Sequence, residues 1–438
     1  MSALKRWDIF CKIVDNYGDI GVCWRLALQL RVEHGLQIRL WIDDLEAAQK
    51  IIPILNIDEN RQVFEEITIL KWNAESDFSQ AAEVVIEAFA CGLPTAYLAA
   101  MARQQSKWVN LEYLSAETWV DDFHGKPSPQ TNGLTRYFYF PGFTEATGGL
   151  IREASIEAPL QSHTNPRPQA GEGARQRGRG AVYVDLDDAP LSNLSPASGR
   201  EAFMVNELET SNAVRPSHFS SQFTGLENWG RPLRSVFDEG QELAEGQEIL
   251  KISLFCYPNA PIKDLFTTLQ ANNHAVLVYV PASSILPNIA DFFGVDTVDA
   301  GDYFSRGNLH VHIFPFLSQA DYDQLLSDCD VNFVRGEDSW VRAVWAGKPF
   351  IWQPYFQDEN VHIKKLNAFL DLFYAHLNVK EIVCEAHRCW SVGQLPKPFL
   401  HAYLEHLSAI SSYTLQQSQQ LAKQQDLAAK LVIFCNKL

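Results

Sequence analysis

The chain has no run of about 18 uninterrupted apolar residues, so no membrane-spanning helix is expected. It has no CxxC pair either; its eight cysteines stand apart at 11, 23, 91, 256, 329, 384, 389 and 435. Most lie in apolar runs, which points to reduced, buried thiols and a cytoplasmic protein. Cys384, His387 and Cys389 are close, but no second pair at zinc-ligand spacing follows, so no metal is expected there. Positive charge is scarce: 36 Lys and Arg face 53 Asp and Glu, for a net charge of −17. That balance argues against general binding to nucleic acid or to an anionic membrane. There is no GxGxxG and no usable internal repeat. With 46% hydrophobic and 20% charged residues, a wholly disordered or fibrous chain is excluded. Residues 1–14 mix Lys5, Arg6, Asp8 and Lys12 with apolar residues, as a strand start does and a signal peptide does not.

At 438 residues the chain is about twice a comfortable single core, so two domains are expected. Residues 9–14 read as a strand, Asp15-Asn16-Tyr17-Gly18-Asp19-Ile20-Gly21 as a turn, 22–34 as a helix ended by Gly35, and 38–42 as the next strand. This is a βαβ opening, and a parallel sheet follows from it. Residues 84–90, 108–114 and 137–143 are further strand candidates. From 159 to about 235 the chain turns to Pro, Gly, Ser, Asn and Arg without a usable period, a composition that reads as a poorly ordered insertion. Beyond it, the strand candidates 249–257, 275–280, 309–314, 331–334 and 350–352 alternate with helical stretches at 262–270, 319–329 and 340–346. Ser318 and Asp321 suggest a capped start for the middle one. Leu421, Ala428, Leu431 and Cys435 share one helical face. The fold class is α/β, and ligands in such sheets sit beyond the carboxyl ends of strands.

Three loops carry candidate chemistry. In the first, between strand and helix, Asp15 and Asp19 bracket a turn. Asp19 is either an N-cap or a base kept ionised by the helix dipole, and Asp15 can brace the turn. Gly18 and Gly21 permit a close approach to a ligand. The second is Arg335-Gly336-Glu337-Asp338-Ser339. Asp338 or Ser339 can cap the following helix, whose free amides suit a diphosphate; Ser339 adds a hydroxyl, and Arg335 or Arg342 adds positive charge. Two acids beside a phosphate make sense if one holds a sugar hydroxyl, and Glu337 is the candidate. The third is aromatic: Tyr257 and Phe316, with the Gln319 amide, can stack on a pyrimidine and bond its edge. Asp185-Leu186-Asp187 matches a DxD metal motif but lacks strand context. The Arg175, Arg177 and Arg179 run can touch RNA, yet it is short and flanked by acids; a solvated linker is the simpler reading.

Several strings together resemble the EarP family of bacterial protein-arginine rhamnosyltransferases: Asp15-Asn16-Tyr17-Gly18-Asp19-Ile20-Gly21-Val22 with Trp24-Arg25-Leu26-Ala27, Glu112-Tyr113-Leu114-Ser115-Ala116-Glu117, Gly148-Gly149-Leu150-Ile151-Arg152-Glu153, and Arg335 to Ser339. Trp345-Ala346-Gly347-Lys348-Pro349-Phe350 and Gln357-Asp358-Glu359-Asn360 continue the likeness. It covers roughly 1–158 and 245–438, and departs from the family in its long middle segment. The resemblance implies a GT-B fold, two Rossmann-like domains facing across a cleft. Residues 1–158 would form an acceptor domain completed by a helix at 411–438. Residues 159–237 would be an insertion, and 238–410 a nucleotide-sugar domain.

The resemblance further implies dTDP-β-L-rhamnose as co-substrate, no metal or other cofactor, and elongation factor P as acceptor. That factor would be modified on an arginine for rescue of ribosomes stalled at polyproline. By position Asp19 matches the general base, Asp15 its supporting acid, and Glu337 an acid important for activity in a role left open. Asn16, Tyr17 and Gly18 lie beside the donor; Tyr257, Phe316, Gln319, Arg335, Gly336, Asp338 and Ser339 match nucleotide-binding positions. Glu112 is a candidate near the cleft for reading the protein acceptor. The alternative is a GT-B transferase or epimerase acting on a small molecule or lipid.

Overall fold

The computed structural model describes residues 5–14, 17–156 and 249–438. Asp15, Asn16 and the stretch holding Arg175, Arg177, Arg179 and Asp185-Leu186-Asp187 lie outside the described residues.

Two sheets form, each from apolar runs buried on both faces, the sequence mark of parallel strands. The first holds β1 (Arg6–Cys11), β2 (Gln37–Ile42), β3 (Arg61–Phe64), β4 (Ile67–Lys71), β5 (Val84–Ala88), β6 (Lys107–Leu111), β7 (Pro127–Pro129) and β8 (Thr135–Tyr139), in spatial order β3-β4-β2-β1-β5-β6-β8-β7. Only β3 and β7 run antiparallel, one at each edge. Two prolines in β7 suit an edge, where a missing N–H breaks no ladder. Its helices are α1 (Gly18–His34), α2 (Leu45–Gln49), α3 (Thr95–Gln104) and α4 (Trp119–Phe123).

The second sheet holds β9 (Leu250–Leu254), β10 (Val276–Pro281), β11 (Tyr303–Arg306), β12 (Leu309–Phe314), β13 (Val331–Arg335) and β14 (Phe350–Gln353), in order β11-β12-β10-β9-β13-β14. Around and after it come α5 (Ile262–Leu269), α6 (Leu286–Phe293), α7 (Gln319–Asp328), α8 (Asp338–Ala346), α9 (Val361–Phe373), α10 (Lys380–Ser391), α11 (Lys397–Glu405), α12 (Leu407–Leu421) and α13 (Leu427–Lys437). Counting parallel strands alone, both sheets wind outward from their first strand in opposite directions, as Rossmann sheets do. The direction of winding reverses between β1 and β5 and between β9 and β13. A crevice opens at the carboxyl ends of those strand pairs. The architecture is GT-B, as the resemblance implied.

Local differences from the sequence expectations have physical causes. Helix α1 starts at Gly18 rather than at 22, so part of the expected turn is helical. Ile20 is wholly buried there, and tertiary packing outweighs the weak helix propensity of the two glycines. Gly35 ends α1 with φ 63° and donates to the Arg31 carbonyl, as expected. The Ser318 hydroxyl caps α7 by accepting the Asp321 amide. It also donates to the Asp321 carboxylate, so the acid bonds the capping hydroxyl rather than the Ser318 amide. Leu421 does not share a helix with Ala428, Leu431 and Cys435: Asp426 caps a new helix by accepting the Ala429 amide. All eight cysteines are free, and seven are buried.

The two halves interlock at the chain's end. Helix α12 lies on α8, where the Ser418 hydroxyl donates to the Val344 carbonyl. Helix α13 crosses to the first half: the Phe434 ring packs 5.3 Å from Tyr139, and Lys107 donates to the Cys435 carbonyl at 2.7 Å. The string Gly148-Gly149-Leu150-Ile151-Arg152-Glu153 receives the crossing. Leu150 accepts from the Leu427 amide, Arg152 donates to the Gln424 carbonyl at 3.2 Å, and Ile151 accepts from the Trp345 indole at 2.7 Å. Gly149 has φ 78°, and a Cβ there would sit 2.7 Å from the Gln425 carbonyl oxygen. Only glycine fits that contact.

Candidate active site

A cleft of about 600 Å³, open to solvent, lies at the carboxyl ends of the central strands, within the usual range for small-ligand sites. Tyr17 and Gly18 enter it from the start of α1; Phe316 and Gln319 enter between β12 and α7. Tyr257 follows β9, while Arg335, Gly336, Asp338 and Ser339 lie where β13 passes into α8. Both halves thus build one site from residues far apart in the chain. Phe255, Ile51, Pro281, Leu317 and Tyr322 also line the cleft. Phe255 and Pro281 stand at the ends of β9 and β10, where the switch-point rule directs a search; Ile51 and Tyr322 carry no local signal.

Arg335 is nearly buried in an aromatic cage. Its guanidinium carbon lies 4.4 Å from the Phe255 ring, 4.6 Å from Tyr257 and 5.9 Å from Tyr17. Each desolvated cation–π contact is worth about 1–2 kcal/mol, so the charge is held before any ligand arrives. Phe316 packs 4.9 Å from Tyr17 and closes the aromatic wall.

The loop residues act differently from a simple capped helix. Residue Glu337 occupies the N-cap of α8, and no side chain caps it. Neither Asp338 nor Ser339 serves as the cap that the sequence suggested. The Ser339 hydroxyl accepts the Arg335 amide and donates to the Arg335 carbonyl, so it is spent on the turn. The first amides of α8 have no intrahelical acceptor and remain suited to an anion.

Asp338 binds the Arg25 guanidinium at 2.7 Å. Arg25 also bonds Asp323 at 2.9 Å, and Arg342 bonds both Asp323 and Glu153 at 2.7 and 2.6 Å. Arg342 is therefore turned into this inter-half network and is not a cleft cation as sequence reasoning allowed. Burial pushes the Asp338 carboxyl above its ordinary value, opposed by Arg25 and Arg342. Gln319 donates to the Gly21 carbonyl at 3.1 Å. A Cβ on Gly21 would come within 3.3 Å of Asp338, so this glycine admits the other half of the protein. Its close approach is to Asp338, not to a ligand.

Asp19 is buried in the first turn of α1 but does not cap it. One carboxylate oxygen accepts the Val14 amide at 2.7 Å and the other the Tyr113 hydroxyl at 3.1 Å. From the other half, half-buried Glu337 accepts the Leu114 amide at 2.9 Å. Burial raises the Glu337 pKa to about 7; Asp19 and Asp338 push the same way, while Lys365 and the Leu114 amide oppose. The two acids thus sense each other from opposite halves. Glu112 is held by the Asn110 amide, and burial raises its pKa. Among the described residues, no group of three or more His, Cys, Asp or Glu is arranged to hold a metal. None of their helices is long and apolar enough to cross a membrane.

The chain matches the family model described as "Elongation-Factor P (EF-P) rhamnosyltransferase EarP" over residues 7–185 and 225–436. Residues 186–224 stand outside that match. A protein-arginine rhamnosyltransferase of Pseudomonas putida is 38% identical over 98% of both chains. One of Pseudomonas aeruginosa is 37% identical over 98% of this chain and 99% of its own. A solved structure described as "Structural basis for EarP-mediated arginine glycosylation of translation elongation factor EF-P" superposes with a TM-score of 0.57 at 27% identity, covering 99% of each chain. With its two Rossmann halves, shared cleft and full-length sequence match, the chain belongs to the EarP family of glycosyltransferases.

Proposed function

We propose that this protein moves L-rhamnose from dTDP-β-L-rhamnose to an arginine side chain of elongation factor P, with inversion at the sugar. The observation that carries the reading is the facing pair of acids. Asp19 from the first half and Glu337 from the second are bonded by the adjacent residues Tyr113 and Leu114, beside an aromatic, cation-bearing cleft.

The thymine would stack on the wall that Phe316 and Tyr257 form, and the diphosphate would lie against Arg335 and the first amides of α8. Asn16, Tyr17 and Gly18 would flank the sugar, with Asp15 supporting Asp19. The acceptor guanidinium has a pKa above about 12, so no carboxylate deprotonates it in the ground state. Asp19 instead orients it by a charge-assisted hydrogen bond and takes its proton as the C–N bond forms. The C–O bond to the diphosphate breaks on the opposite face, giving an α-linked rhamnosyl arginine and dTDP. Arg335 and the helix amides stabilise the leaving group, so the reaction needs no metal.

Intact-mass spectrometry of elongation factor P incubated with this protein and dTDP-L-rhamnose, with EDTA present, tests the reading. One deoxyhexose on one arginine is expected. The Asp19→Asn variant should bind dTDP normally and leave the acceptor unmodified; turnover by that variant removes Asp19 as base. An unmodified acceptor with the parent enzyme, while dTDP still binds by calorimetry, moves the acceptor to another class of molecule.

A further inference from the structure

We infer that Tyr113 is a positioning residue for the Asp19 carboxylate, an inference that rests on the proposed role of Asp19 as base. The string Glu112-Tyr113-Leu114 delivers consecutive residues to both acids beside the cleft. The Tyr113 hydroxyl donates to Asp19, and the next backbone amide, of Leu114, donates to Glu337. One short loop after β6 therefore sets the spacing of two carboxylates that belong to different halves.

The ring of Tyr113 is itself held. Phe89 stacks on it with centroids 4.3 Å apart and planes 12° from parallel. The Lys365 ammonium, from α9 of the other half, lies 5.6 Å from the same ring. Phe89 achieves its stack from a left-handed backbone, φ 56°, followed by Ala90 at φ 51°. A bulky residue rarely adopts that conformation, and where it does the surroundings must enforce it. Here they do: the Phe89 amide bonds the Leu111 carbonyl, the Ala90 amide bonds the Asn110 side chain, and the Gly92 amide bonds the buried Glu87 carboxylate. The strain aims one aromatic ring at another beside the reacting centre.

A base that must meet a planar guanidinium needs its carboxylate plane fixed, since small misalignments cost much rate. Val14 and Tyr113 hold one oxygen each, which sets that plane. Tyr113 does not line the donor cleft and is 37% exposed, so removing its hydroxyl should leave donor binding intact.

Steady-state kinetics of Tyr113→Phe and Tyr113→Leu, with thermal midpoints, test the inference. Tyr113→Phe keeps the ring stack and should lower kcat roughly tenfold to a hundredfold, as expected for loss of a hydrogen bond to a charged group. Its KM for dTDP-L-rhamnose should match the parent, and its thermal midpoint should fall by only a few degrees, leaving the enzyme folded at the assay temperature. Tyr113→Leu should lose at least as much kcat. A parent-like kcat in Tyr113→Phe overturns the inference, as does a fall in kcat matched by a higher donor KM. The Asp19→Asn variant in the same assay separates the two claims. Turnover there overturns the role of Asp19 itself, whereas an inert Asp19→Asn beside an unaffected Tyr113→Phe overturns only the role of Tyr113.

Discussion

Removing Arg25 should cost this protein both stability and dTDP affinity. Arg25 is 4% exposed and bonds Asp338, Asp323 and Glu153, so it joins α1 to α7, α8 and the loop after β8. In Arg25→Met, Asp323 and Glu153 keep Arg342 as a partner, and both are partly open to solvent. Asp338 is different: it keeps a hydrogen bond from the Gln319 amide at 3.4 Å. Orphaning one buried carboxylate sets the loss at the lower end of the range for a broken buried pair, about 3 kcal/mol. Guanidinium chloride unfolding of parent and variant at neutral pH measures it directly. The sign of the pH dependence is fixed too. Without Arg25, burial holds the Asp338 carboxyl protonated to still higher pH, and a neutral carboxyl needs no cation. The deficit of the variant should therefore narrow as pH falls. Affinity for dTDP should also drop, because Asp338 lines the cleft. A variant within about 1 kcal/mol of the parent, with unchanged dTDP affinity, would refute the idea that this network holds the halves and shapes the site.

Two further outcomes follow from the same geometry. Glu337 carries a pKa raised to about 7. Its contribution to stability is present below the ordinary carboxylate range and is lost as pH rises through about 7. Glu337→Gln removes that loss, so its stability should gain on the parent between about pH 5 and pH 8 in thermal unfolding; parallel curves would contradict the assignment. Gly149→Ala places a Cβ 2.7 Å from the Gln425 carbonyl oxygen at φ 78°. It should lower stability by about 1–3 kcal/mol, read as a fall in thermal midpoint with dTDP affinity unchanged.

The central strands were legible because buried parallel strands write themselves as continuous apolar runs: the run 309–314 is β12 to the residue. The edge strands β3, β7 and β11, and β4 beside one of them, escaped because they are short and only partly buried, with no such run. The site loops were found because they follow strands and mix glycine with acids. What each residue does there was less visible. Ser339 and Arg342 have the right chemistry for a phosphate, but their partners, Arg335 and Asp323, are chosen by the fold. The same holds for Tyr113, 94 positions from Asp19, and for Leu114, 223 positions from Glu337. Local spacing carries no record of such contacts, and the Trp24-Arg25-Leu26-Ala27 string gave no hint that Arg25 ties the halves together.

Helix α13 imposes an order on how the protein is made. Lys107 and Cys435 are 328 residues apart in the chain yet hydrogen-bonded, and the Phe434 ring covers Tyr137 and Tyr139 of the first sheet. A ribosome that has translated the whole first half has not yet made the ring that covers it. Domains usually fold in turn as they emerge. Here the first half waits with an aromatic seat open, and closing it means closing a loop of 328 residues, a slow kind of contact. The first half therefore reaches its finished state only after α13 has been made.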